Sequence, residues 1–315
     1  MDFSENSIVK LLNIKYPIIE GGMAWVGTAK LAAEVSNAGG LGTIGSGSMT
    51  PDILKEQIKK IKELTNKPYA VNIIMINPFI EDIINIVIEE KVPVVIMAAG
   101  NPGKYIPILK SNNIITGAVV SSENLALRLE KKGIDFIVGE GMECGGHIGD
   151  VTTMVIIPKL TSILKIPVIA AGGIADGRGM AAVFMLGASG IQMGTRFIAS
   201  YECEAHENYK NKILKAGIRD SVITGIKMGH PARSIKNKFV KNINKIESES
   251  IEEAERLLIG SLKKAHIDGD NDNGSFMAGQ SVGLIENIKS VKEIIEDLCS
   301  DMDYTIKNFS GVLSK

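Results

Sequence analysis

AAGGIAD at residues 170–176, followed by GIQMGT at residues 190–195, decides the fold. Each string places glycines directly after a short apolar run, where backbone N–H groups can close on an anion that a side chain would obstruct. Two such turns in succession point to a bound phosphate, and in a (β/α)8 barrel the loops after strands 7 and 8 commonly build that site. Counting backward gives six further apolar runs bounded by turn residues, at 16–20, 41–44, 70–74, 94–97, 114–119 and 136–138. Between them, residues 28–37, 51–64, 78–90 and 122–132 carry apolar side chains at i, i+3 and i+4, which predicts helices. Strict strand–helix alternation predicts an α/β protein with a parallel sheet, and eight units predict closure into a TIM barrel. An open Rossmann-type sheet would need a G-x-G-x-x-G string opening a helix, and the glycines at 139–145 have the wrong spacing.

With 315 residues and 45% hydrophobic content, the chain can bury the core of one barrel plus an appendage. Its 35 basic and 36 acidic side chains nearly cancel, so bulk charge gives no argument for nucleic acid. No apolar stretch approaches the roughly 20 residues a bilayer span requires. The opening MDFSENSIVK lacks a basic region followed by an apolar one, so no secretory signal is expected. Three widely spaced cysteines, Cys144, Cys203 and Cys299, suit a reducing cytoplasm better than a disulfide framework.

After the eighth strand the alternation stops. Residues 1–199 are expected to form the barrel, residues 200–283 an inserted lid or small domain, and residues 284–315 a C-terminal helix that completes the barrel. A βα insertion opens over the catalytic face, which makes this one a candidate for substrate recognition.

GEGMECGGHIG, residues 139–149, follows the sixth strand and holds one histidine among five glycines. Glycines such as Gly146 let the chain approach a flat ligand, and the His147 imidazole is suited to proton transfer near neutral pH. A histidine at the carboxyl end of a barrel strand reads as catalytic. His206, His230 and His266 lie in the insertion, where they read as ordinary structural residues, and no pair has zinc-ligand spacing. EGGMAWV, residues 20–26, puts Gly22 and Met23 at the rim, either as a seat for a ring system or as a glycine turn with a core methionine. Asn72 offers donors and an acceptor suited to a heterocycle edge or to a turn. Glu140 is either a buried carboxylate near a ring or a strand-end charge, and Gln192 lies inside an apolar strand. DGDNDNGSFMAGQ, residues 268–280, fails as a calcium loop, because Asn273 stands at the sixth position and Gly279 at the twelfth. It is expected to be a turn bringing Met277 and Gln280 toward the barrel mouth, and no metal site is expected.

The strings PIIEGGMAWV, SNAGGLGTIG, VNIIM, EGMECGGHIG, TTM, PVIAAGGIADGRG, FMLGASGIQMGTRF, GHPARSIKN and GSFMAGQ together resemble the flavin-dependent enoyl-acyl carrier protein reductase II, the FabK type, of the nitronate monooxygenase-like superfamily. The resemblance runs from about residue 11 to residue 311. It implies an FMN-containing TIM barrel that uses NADH or NADPH to saturate the trans-2 double bond of enoyl-acyl carrier protein in fatty acid biosynthesis. By the same resemblance, Gly22, Met23 and Ala24 would face the isoalloxazine and Asn72 its polar edge. Gly172, Gly173, Gly194 and Thr195 would hold the phosphate, with Gln192 and Met193 beside the cofactor, and Glu140, Gly146 and Ala171 complete the expected cofactor-binding set. His147 matches the catalytic-region histidine, positioned to polarise the thioester carbonyl or relay a proton to the α-carbon. Nitronate monooxygenases on the same scaffold usually carry Arg after that histidine, where this chain has Ile148. Carrier proteins are acidic, and Lys227, Arg233, Lys236, Lys238, Lys241 and Lys245 follow one another with no carboxylate between, an expected steering surface. The resemblance also implies a homodimer.

Overall fold

The computed structural model describes residues 1–309 and 311. Eight parallel strands form the barrel wall: β1 (Ile18–Glu20), β2 (Gly42–Gly45), β3 (Tyr69–Ile74), β4 (Val94–Ala98), β5 (Ile115–Val120), β6 (Phe136–Glu140), β8 (Val168–Ala171) and β9 (Gly190–Met193). The remaining strands, β7 (Gly146–His147), β10 (Ser221–Thr224) and β11 (Ala232–Ile235), form a separate antiparallel sheet in the order β10-β11-β7. Around the barrel the order is β1-β9-β8-β6-β5-β4-β3-β2. The last seam closes through Leu41, whose N–H donates to Ile18 O at 2.9 Å while its carbonyl accepts from Glu20 N–H at 2.9 Å. The fold is the TIM barrel expected from the repeating strand–helix units.

Inward positions pack as a solid core of Ile19, Leu41, Ala70, Val94, Ile96, Phe136, Val138, Ile169 and Ala171. The helix Ser7–Leu12 plugs the floor with Ile8 and Leu12. Asn6 starts it by accepting from Ile8 N–H and Val9 N–H, and Asn13 ends it in the left-handed region, a conformation asparagine tolerates. Outward positions such as Val71, Val95, Ile137 and Ile191 pack under the helices. Apolar side chains fill most of the barrel interior, and the polar residues Asn72, Glu140 and Gln192 stand toward the carboxyl ends of β3, β6 and β9.

Residues 200–283, expected as an inserted lid or small domain, carry secondary structure of their own. They contain the β10–β11 hairpin and helices Glu207–Lys215, Lys238–Ile246, Ile251–Leu258 and Ser261–His266. Each strand is four residues long, too short to give a readable period of two. A small core of Phe239, Val240 and Ile243 holds this part together. The chain then returns to helix Val291–Lys307, opened by a Ser290/Glu293 capping box, which packs on helices Gly177–Met185 and Ala29–Asn37 as the eighth barrel helix. Among the described residues, no helix is long and apolar enough to cross a membrane.

Candidate active site

The mouth is assembled from the loops that follow β1, β3, β6, β8 and β9. After β1, Gly21 N–H donates to Met193 O at 2.8 Å, fastening the loop to β9. At Gly22 a Cβ would fall 2.3 Å from Asn72 Cγ, so the glycine exists to let this loop press on the asparagine. Asn72 is buried and its Nδ2 donates to Ile96 O at 3.1 Å, which fixes its amide and commits one donor to β4. Met23 O accepts from Gly27 N–H at 2.8 Å, and Met23 Sδ would touch a Cβ on Gly194 at 3.3 Å. Ala24 and Trp25 continue the turn, with Trp25 in the left-handed region at φ 69° and its N–H bound to Ser48 Oγ at 3.0 Å. A bulky residue there is a backbone outlier that its surroundings must hold.

After β8 the chain turns through Gly172 at φ 93° and Gly173 at φ 76°. The backbone adds a reason for glycine to the one inferred in sequence. A Cβ on Gly172 would meet Gly141 O at 2.7 Å and one on Gly173 would meet Glu143 Cβ at 3.4 Å, so both would point at the 141–144 loop. Positive φ and close loop packing demand glycine. No acceptor among the described residues takes the N–H of Gly172, Gly173 or Gly194, leaving these amides able to bind an anion. Thr195 is buried beside them, and its hydroxyl oxygen accepts from Gly279 N–H at 3.0 Å. Gln192 is buried, its Oε1 has no partner among the described residues and its side chain lies in van der Waals reach of Gly21, and Met193 is buried next to it. A buried amide oxygen without a donor costs stability, and a ring N–H placed there would satisfy it.

Glu140 ends β6 in register with Ala171. Burial pushes its carboxyl up to about 7, partly offset by a hydrogen bond from Cys144. The Cys144 thiol is itself pushed far up by burial and by Glu140, which makes it inert as a nucleophile. Glu143 accepts from Thr153 N–H at 3.0 Å, and the Thr153 hydroxyl lies 2.9 Å from Gly172 O, so the 141–145 loop is pinned to the β8 turn.

His147 does not sit at the end of a barrel strand, as the sequence implied. It lies with Gly146 on β7, where Ala232 pairs with His147 and Arg233 with Gly146, so the insertion carries it. Its imidazole is exposed on that sheet. Partial desolvation, with like-charge repulsion from His230 second, draws its pKa below the ordinary histidine value. His230 Nε2 is 3.5 Å from Glu255 Oε1, and His206 Nδ1 accepts from Asn208 N–H at 3.1 Å. Residues 277–280 do reach the mouth: Gln280 N–H donates to Glu143 O at 2.8 Å.

Arg233 departs from its expected place on a steering surface. It is buried, with Nε donating to Met142 O at 3.0 Å and Nη1 to Ser221 O at 3.3 Å, and so joins β11 to the loop after β6. Lys238 lies 3.6 Å from Asp272. Glu143, Thr153 and Ser48 also escaped sequence reasoning; only the threonine gave a signal, at the start of an apolar helical run. Among the described residues, no group of three or more His, Cys, Asp or Glu side chains could hold a metal ion.

Comparison with known proteins bears on this geometry. Residues 5–86 and 79–301 match the family model Nitronate monooxygenase. The structure of FabK from Thermotoga maritima is similar with a TM-score of 0.96 and 53% identity, over 97% of this chain and 98% of that one. A nitroalkane oxidase from Streptomyces ansochromogenes superposes with a TM-score of 0.87 at 25% identity, over 96% of this chain and 99% of that one. A probable nitronate monooxygenase of Staphylococcus saprophyticus is 34% identical, over 90% of this chain and 94% of its own length.

Proposed function

The chain belongs to the nitronate monooxygenase family, and on that premise we propose that it is an FMN-dependent enoyl-acyl carrier protein reductase of fatty acid biosynthesis that uses NADH or NADPH. The observation that carries the reading is the near full-length likeness to FabK from Thermotoga maritima, which takes in the insertion as well as the barrel. The mouth fits the cofactor. Gly172, Gly173, Gly194 and Thr195 offer unpaired amides and a hydroxyl for a phosphate, while Gln192 Oε1 lacks a donor that a flavin ring could supply. Residues 22–24 and Asn72 would hold the ring, with Met193, Gly146 and Ala171 alongside.

FMN bound there would supply hydride transfer from the nicotinamide to the β-carbon of the enoyl thioester. The protein's own part is positioning and proton handling. Hydride addition leaves negative charge on the thioester oxygen, and the His147 imidazole is the group assigned to stabilise it by a hydrogen bond or to relay a proton taken from solvent at one ring nitrogen to the α-carbon from the other. Its lowered pKa keeps the ring neutral near pH 7, a state able to donate one hydrogen bond. Glu140, with its carboxyl pushed up to about 7, adds no full negative charge beside Ala171. Lys227, Lys236, Lys241 and Lys245 are assigned to steering of the acidic carrier protein, Arg233 being excluded by its burial. A cytoplasmic homodimer belongs to the same reading, and light scattering after gel filtration tests the dimer.

The names of the curated relatives favour a second reading, oxidation of alkyl nitronates with oxygen. The two separate in one experiment. Anaerobic NADH or NADPH oxidation is followed with crotonyl thioester, and oxygen uptake is followed with an alkyl nitronate. Enoyl reduction without nitronate turnover upholds the first reading; the reverse replaces it with the second.

A further inference from the structure

The insertion reaches the turn at residues 24–25 through one buried side chain. His266 is 3% exposed, and its Nδ1 lies 3.1 Å from Ala24 O. A carbonyl oxygen only accepts, so Nδ1 carries the proton and donates. Nε2 is then a bare, buried acceptor without a partner among the described residues. The ring stacks on Tyr209 with centroids 4.6 Å apart and planes 18° apart, and Phe276 meets the tyrosine edge-on at 5.3 Å. Tyr209 Oη donates to Met277 O, and Met277 bridges antiparallel to Ser234 on β11, the strand that pairs with β7 and His147. From the same helix, Lys263 Nζ stands 5.8 Å from the centre of the Trp25 ring.

We propose that His266 and Tyr209 are positioning residues that form a latch, holding the turn at residues 24–25 in register with the strand that carries His147. The latch joins the two sides of the site: the loop assigned to the flavin ring and the strand bearing the proton-handling group. Burial draws the His266 pKa down to about 4, so the donor stays neutral through the physiological range. Its importance for the cofactor rests on the flavin reading; the latch itself does not.

Trp25 is the only tryptophan in the chain, so its fluorescence reports on this turn directly, in protein stripped of FMN. The test compares emission and acrylamide quenching of Trp25 in wild type, His266→Leu, His266→Asn and Tyr209→Phe, followed by FMN titration. His266→Leu is expected to shift emission to the red, raise quenching and weaken FMN binding about fivefold, the factor one net hydrogen bond is worth. His266→Asn keeps a donor near the Nδ1 position and is expected to recover most of each effect. Tyr209→Phe keeps the stack but frees Met277 O, and is expected to raise quenching partway. Wild-type emission and quenching in cooperatively melting His266→Leu overturns the proposal, as does a loss in His266→Asn equal to that in His266→Leu. Should His266→Leu not fold, unchanged quenching in Tyr209→Phe overturns it and raised quenching beside a wild-type-like His266→Asn upholds it. Protein that binds no FMN yet shows the Trp25 changes upholds the latch and rejects the flavin reading.

Discussion

Replacing Gly172 and Gly173 separately with alanine distinguishes two causes that sequence alone merges. Both residues hold positive φ, for which an L side chain costs about 1–2 kcal/mol. Alanine recovers about 0.4–1 kcal/mol by restricting the unfolded chain. At Gly173 the added Cβ meets only Glu143 Cβ at 3.4 Å, an ordinary contact, so Gly173→Ala should cost about 1 kcal/mol or less. At Gly172 the Cβ would stand 2.7 Å from Gly141 O and 3.2 Å from Cys144 N, backbone atoms that cannot rotate away. Overpacking of that kind adds about 1–3 kcal/mol, for a total of roughly 2–4 kcal/mol. Thermal unfolding of the FMN-free protein by circular dichroism should put Gly172→Ala roughly 4–8 °C below wild type and Gly173→Ala within roughly 2 °C. FMN titration should show the larger loss for Gly172→Ala, because its turn must shift as a unit. Equal melting temperatures for the two variants, or a larger drop for Gly173→Ala, would refute the reasoning.

His147→Ala should retain FMN by absorbance but lose enoyl reduction, and unchanged turnover would reassign the proton-handling role. His230→Ala removes the like charge that lowers the His147 pKa, so the acid limb of the kcat/KM profile attributed to His147 should move to higher pH. Glu140 binds its proton up to about pH 7 in the folded chain but only up to about its ordinary 4.5 when unfolded. From pH 4.5 to 7 the native state therefore holds more protons than the unfolded state, and stability falls as pH rises. Glu140→Gln should flatten that decline in a series of melts, and an unchanged slope would refute the assignment. Lys236→Glu with Lys241→Glu should weaken turnover of carrier-bound enoyl substrate far more than that of a CoA thioester; equal losses would remove the steering surface.

The barrel was legible because its signal is repeated eight times: short apolar runs ending in turn residues, separated by helices of regular period. The glycine turns at 172–173 and 194 also announced themselves, although the positive φ and the loop packing at 172–173 that exclude alanine could not be read from sequence. His147 was found as a chemical candidate but misplaced, because a two-residue strand paired with Ala232 and Arg233 leaves no local pattern. Arg233 and His266 were hidden for a related reason. A charged or polar side chain buried by partners 91 and 242 residues away looks, in sequence, like any surface residue.

The last barrel helix, Val291–Lys307, packs on helices Gly177–Met185 and Ala29–Asn37 but is separated from β9 by the whole insertion. During synthesis the strand ring can therefore come together while helices Gly177–Met185 and Ala29–Asn37 still show bare oily flanks to solvent. Maturation would then occur in two stages, with the exposed flanks open to chaperones or to unwanted self-association until the closing segment leaves the ribosome. Sequence changes that slow assembly of the insertion would lengthen that vulnerable interval, lowering the yield of soluble protein without altering any group at the barrel mouth.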